Sequence, residues 1–180
     1  MAGERGDKTM SKMTSALANK MIRKLNEDKE FWLQKEREAS TFVASVDEEP
    51  VIPEYDYSEV AAKIAEIDAE VTTIRHAINV NNCANLVQVG DAEMTVDTIL
   101  VRMAQLNARK NILDRMRKQL PKTRLNTATY SSRKSAPEYQ YVNYDIEQVK
   151  KDYDRIDGEI SAMQIALDKY NQTFEFEVNI

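Results

Sequence analysis

Residues 57–82 read YSEVAAKIAEIDAEVTTIRHAINVNN, and their apolar members fall at Val60, Ile64, Ile67, Val71, Ile74 and Ile78. The steps alternate four and three, the 3.5-residue repeat that keeps one seam of a helix apolar. Residues 149–170 repeat the pattern with Val149, Tyr153, Ile156, Ile160, Met163, Leu167 and Tyr170. So narrow a seam leaves the other faces charged and cannot be buried by its own helix. The chain is therefore expected to pack long helices against each other or against copies of itself. A mainly α fold follows: long antiparallel helices with coiled-coil-like packing, a four-helix bundle, plus a small β element from loops and the C-terminal tail.

Composition agrees. The 180 residues hold only 4 Gly and 4 Pro, which argues for long elements and few connections. Their length suits one elongated helical domain. A net charge of −5 speaks against nonspecific nucleic-acid binding. The one cysteine, Cys83, excludes an intrachain disulfide framework and fits a reducing, cytoplasmic setting. Residues 1–13 mix charges and lack the apolar core of a secretory signal. No apolar run approaches the roughly 20 residues of a transmembrane segment.

Four helices are expected, over about 8–40, 57–80, 95–120 and 145–170. The first presents Met10, Met13, Leu17, Met21, Leu25 and Trp32. Pro50 and Pro53 break the chain after it. Asp56 with Glu59, and Asp145 with Gln148, are capping pairs for the second and fourth helices. Asn79, Asn81 and Asn82 favour turn geometry and should end the second helix. Thr95 caps the third, whose apolar positions are Ile99, Met103, Leu106, Leu113, Met116 and Leu120 before Pro121 ends it. Short strands are expected at 85–89, 139–142 and 173–178, where alternation or Gly90-Asp91 marks them, and together they could make one small sheet.

Charge is segregated. Residues 47–70 carry Asp47, Glu48, Glu49, Glu54, Asp56, Glu59, Glu66, Asp68 and Glu70 against Lys63 alone. Residues 102–134 carry Arg102, Arg109, Lys110, Arg115, Arg117, Lys118, Lys122, Arg124, Arg133 and Lys134 against Asp114 alone. In one reading, acidic and basic flanks meet within or between subunits and fix register. In the other, Arg109, Lys110, Arg115, Arg117, Lys118, Lys122 and Arg124 contact nucleic-acid or other phosphates. Tyr130 is the one aromatic residue interleaved with the basic run, which makes a poor base-stacking platform and favours the first reading.

Nothing points to catalysis. His76 lies beside the seam, without a second histidine or a nucleophile to pair with. Cys83 reads as a buried small residue and not as an activated thiol. Glu66, Asp68 and Glu70 scatter around the helix axis as a solvated face. Asn171-Gln172-Thr173 matches a glycosylation triplet, here a coincidence in a chain lacking a signal. The methionines fall mostly at apolar helical positions and fill cores. Neither a phosphate loop nor a nucleophile elbow is present. No metal, cofactor or small-molecule ligand is implied.

Ile78-Asn79 with Asn81-Asn82, then Gly90-Asp91, then Thr95, Leu100, Arg102 and Leu106, form a spaced pattern. With Tyr141-Val142, Tyr144-Asp145-Ile146, the closing Asn171-Gln172-Thr173, and the order Ala16-Leu17 before Glu48-Glu49-Pro50, the chain resembles the septicolysin-like family of small bacterial helical proteins. That resemblance implies a helical fold without an established enzymatic role, and its name implies a pore-forming or cytolytic protein. The residues themselves show no hydrophobic hairpin or glycine-rich insertion segment. The function they support is a non-enzymatic, self-assembling structural or interaction protein, a homo-oligomer whose assembly seam is Val60, Ile64, Ile67, Val71, Ile74, Ile78, Val149, Tyr153, Ile156, Ile160, Met163 and Leu167.

Overall fold

Thr14 ends a strand and starts a helix. Its hydroxyl accepts from the Leu17 N–H at 3.2 Å, partnering one of the donors that every helix start leaves over. The computed structural model describes residues 10–47, 49–125 and 138–179. Ahead of Thr14 the chain is extended, as β1 (Met10–Thr14), and the first helix, α1, covers Ser15–Ala39. The expected start at residue 8 is thus corrected: Met10 and Met13 belong to a strand, and residues 8 and 9 lie outside the described residues. The cause is distant in sequence. β1 pairs antiparallel with the tail strand Glu175–Asn179, setting Met13 opposite Phe176 and Ser11 opposite Val178.

The second helix, α2 (Tyr57–Ala84), starts where Asp56 Oδ1 accepts from Ser58 N at 2.7 Å and Glu59 N at 3.3 Å. It runs antiparallel to α1, since Lys29 meets Asp68 at 2.6 Å and Lys35 meets Glu59 at 3.9 Å. Their shared core holds Met13, Ala18, Ile22, Ile74 and Val178, flanked by Leu25, Val71, Ile78 and Phe176. The asparagines do not end α2 at residue 80. Asn81 is buried inside the helix, which closes at Asn85, whose N–H bonds Asn81 O at 3.1 Å. A tertiary partner for Asn81, described below, outweighs the local preference of asparagine for turns.

Strands β2 (Leu86–Val89) and β3 (Ala92–Thr95) pair across a turn at Gly90, whose φ of 58° is the left-handed conformation glycine adopts without strain. Helix α3 (Val96–Arg117) follows directly after Thr95. It stops short of the expected residue 120: Gln119 N bonds Met116 O at 3.2 Å in a tighter turn, and Leu120 is left outside the helix and exposed. Next come β4 (Lys122–Arg124) and β5 (Tyr139–Tyr141), paired antiparallel with Lys122 opposite Tyr141. Helix α4 (Ile146–Thr173) is capped by Asp145, whose Oδ1 accepts from Glu147 N at 2.9 Å and Gln148 N at 3.3 Å. It continues past residue 170 to Thr173 and gives way to β6 (Glu175–Asn179).

The fold is mainly α, with four helices and small antiparallel strand pairs among the described residues. The three segments expected to share one sheet do not. Each finds a different partner, giving β1–β6, β2–β3 and β4–β5. The described residues fall into two compact units by their contacts. The first takes those up to residue 87 with 95–97 and those from 167 onward, and the second takes 88–94 and those between 98 and 166.

Candidate interaction surfaces

In α2 the buried residues are Val60, Ile67, Ile74 and Asn81, each seven beyond the last. In α3 they include Ile99, Leu106 and Leu113, and in α4 Val149, Ile156, Met163 and Tyr170, at the same interval. Ile64, Val71, Ile78, Tyr153 and Ile160 are half-buried between them, and Leu167 is buried. The repeat is real, but Val60, Ile74 and Met163 are wholly inaccessible within one chain. The buried seam positions thus pack within one chain, while Ile64, Val71, Ile78, Tyr153 and Ile160 keep part of their surface accessible. Exposed apolar faces lie elsewhere.

α3 has such a face. At about 100° per residue, Val101, Ala104, Ala108 and Ile112 share one side, roughly 120–160° from Ile99, Leu106 and Leu113. All four are exposed, Val101 to 53% and Ile112 to 42%. A helix apolar on two sides calls for two partners, and the second is not supplied within the second unit. The seven-residue periodicity of the buried side masks this second stripe in the sequence, because its alanines carry little hydrophobic signal.

The basic stretch is partly neutralised within the second unit. Lys110 pairs with Asp157, and Arg102 meets Glu159 at 2.9 Å. Asp114 takes both Arg117, at 2.8 Å, and Lys118. Those hydrogen bonds, Lys118 first and Arg117 second, hold the Asp114 carboxyl below its usual range. The hydrogen bond to Asp157 likewise raises Lys110. The Arg117 guanidinium lies 3.8 Å from the centre of the Tyr153 ring, a cation–π contact that ties α3 to α4. Lys122 sits 4.1 Å over Tyr139 and 5.3 Å from Tyr141. Arg109, Arg115 and Arg124 are exposed and show no acidic partner within 4 Å among the described residues. Sequence reading could not pair Lys122 with tyrosines 17 and 19 positions later, because only the β4–β5 register brings them together.

Between the C-terminal end of α3 and the β4–β5 pair lies a groove of about 430 Å³. Ile112, Met116, Leu120 and Tyr141 line it with apolar surface, and Arg115 supplies its charge. The Tyr144 hydroxyl donates to Met116 O at 2.8 Å and fixes the entry to α4 against the end of α3.

The remaining singled-out residues lie at the surface of α2. His76 is exposed on α2. Cys83 is exposed as well, where burial was expected, because its position falls outside the buried repeat Ile74–Asn81. Asp68 and Glu66 bond Lys29 and Lys63. Among the described residues no group of three or more His, Cys, Asp or Glu is placed to hold a metal, and no helix is long and apolar enough to cross a membrane. Tyr130 lies outside the described residues.

No family model matches the chain, and no curated protein matches it. Among solved structures it is similar to a functionally unknown conserved protein from Corynebacterium diphtheriae, with 14% sequence identity and a TM-score of 0.61 over 92% of this chain and 99% of that one. At that identity the likeness shows a shared fold and nothing of activity.

Proposed function

We propose that this chain is a non-enzymatic structural or interaction protein that works as a homo-oligomer in a reducing, cytoplasmic setting. The observation that carries the reading is the second apolar face of α3. Val101, Ala104, Ala108 and Ile112 are exposed opposite a seam that is already filled. Burying such a stripe against a second copy removes apolar surface from water at about 25 cal/mol per Å², and an isologous contact of one helix face with itself is the simplest closed arrangement. Light scattering after size exclusion tests this. The expected outcome is a discrete multiple of 20.7 kDa that Val101→Glu with Ile112→Glu reduces to the single-chain mass. A monomeric wild type at tens of micromolar overturns the reading.

A second reading, nucleic-acid binding, draws on one observation. The exposed Tyr139 and Tyr141 stand beside Lys122 and Arg124 on the β4–β5 pair, the combination of cation and ring on which single-stranded bases stack. The pairing of Lys110, Arg117 and Lys118 with Asp157 and Asp114 weighs against it. Absorbance at 260 nm that travels with the purified protein and is stripped by salt, and is lost when Lys122 and Arg124 become Glu, would favour it over assembly.

A further inference from the structure

The connection between α1 and α2 is unusual for what it leaves in water. Residues 41–47 and 49–56 form neither helix nor strand, and Val43, Val46 and Val51 are 100%, 101% and 90% exposed. Valine side chains so placed contribute nothing to the first unit. Pro50 and Pro53 hold the segment away from helix. Its ionised residues are acidic: Asp47, Glu48, Glu49 and Glu54. It is an arm with apolar side chains and negative charge.

The groove of the second unit has the opposite character. Ile112, Met116, Leu120 and Tyr141 offer apolar surface, with Leu120 at 65% and Tyr141 at 63% exposure. Arg115 lines it without an acidic partner among the described residues, and Lys122 and Arg124 stand on the strand that forms its side. The edges of a two-stranded pair also keep backbone donors and acceptors that an extended segment can use.

We infer that the arm, through its residues 43–47 and 49–54, of one copy docks in the groove between α3 and the β4–β5 pair of a second copy. This rests on the assembly reading and names the contact that specifies it. One chain thus carries both halves of a complementary pair, acidic and apolar on one side, basic and apolar on the other. Ile112 stands at the border between the groove and the outer face of α3. Carboxylates of the arm meeting Arg115, Lys122 and Arg124 would set which copy and which register are accepted, as charges around an apolar centre do.

Charge exchange tests it on the full chain. Arg115→Glu alters the groove, and Glu49→Lys with Glu54→Lys alters the arm; all three positions are exposed, and circular dichroism melts would verify folding. Each variant alone is expected to raise the dissociation constant of the oligomer at least tenfold in sedimentation analysis. Mixing the two restores association, because both the native and the reversed charge pairs then form. A photo-crosslinker at Val46, in isotopically heavy copies mixed with light ones, should join residue 46 of one to residues 112–120 or 140–144 of the other. Retention of wild-type affinity by both variants overturns the arm contact and leaves assembly standing. A monomeric wild type overturns both. Crosslinks confined to heavy–heavy and light–light species show the arm closing on its own chain and overturn the second copy as occupant.

Discussion

Asn81 occupies the seam position seven beyond Ile74, where the pattern predicts an aliphatic residue. Its side chain donates to the Tyr170 hydroxyl at 2.8 Å and its Oδ1 accepts from Asn85 Nδ2 at 2.6 Å. Burial pushes the Tyr170 hydroxyl above its ordinary pKa, against the bonds from Asn81 and Asn85 that lower it. A buried polar group left without its partner costs the full desolvation of that group. Asn81→Ala should therefore destabilise the protein by about 1–3 kcal/mol in urea unfolding, and Tyr170→Phe should lose less because it leaves one fewer polar group stranded. In the double variant the two losses should not add. A second residue-scale prediction concerns Asp114. A carboxyl whose folded pKa is depressed stabilises the fold above its unfolded value, near 4, and loses that contribution as pH falls through the lower folded value. Carboxyl NMR should place the Asp114 midpoint below the usual range. Lys118→Ala should bring it back further than Arg117→Ala, since Lys118 is the larger cause.

Elements are where sequence and structure can be compared most directly. Caps were legible: Asp56 and Asp145 each accept from two N–H groups, because capping depends only on residues two and three positions away. The heptad seams were legible for the same local reason. The start of α1 was not, since Met13 reads as a helical position until β6 is known to lie beside it. The end of α2 was not legible either, because Asn81 is a turn former by propensity and a core residue by virtue of Tyr170. Of the candidate surfaces, the basic residues were legible as charge but not as pairs with Asp157, Tyr153 or Tyr139. The groove and the two-faced character of α3 required the fold. At this scale Met13 makes a test. It is 2% exposed in a strand yet packs with Ile22 and Ile74 of the helices. Met13→Ala should cost about 2–5 kcal/mol, as for buried aliphatic truncations, whereas Met10→Ala, 63% exposed on the same strand, should cost little. Thermal unfolding by circular dichroism would separate the two.

For the molecule as a whole, the first unit is built from both ends of the described chain, and the second unit is set into its sequence between residues 88 and 166. Helix α4 belongs to both, with residues up to 166 in the second unit and Leu167 onward in the first. Val178, 1% exposed, completes the core around Ile22 and Ile74 from the last strand. Stopping the chain after Thr173 should uncover that core, and the measurable sign is enhanced binding of a hydrophobic dye together with a lower melting temperature. The pairing of Met10 with Asn179 also orders events during synthesis. Contacts between residues so far apart in sequence form late and slow folding. While the ribosome is making the second unit, β1 has no strand to pair with, and Met13, Ala18 and Ile22 wait with only α2 to cover them. Until β6 is made and free to pair, the nascent chain thus presents an unfinished core, and a holdase chaperone is expected to dwell on it through that interval.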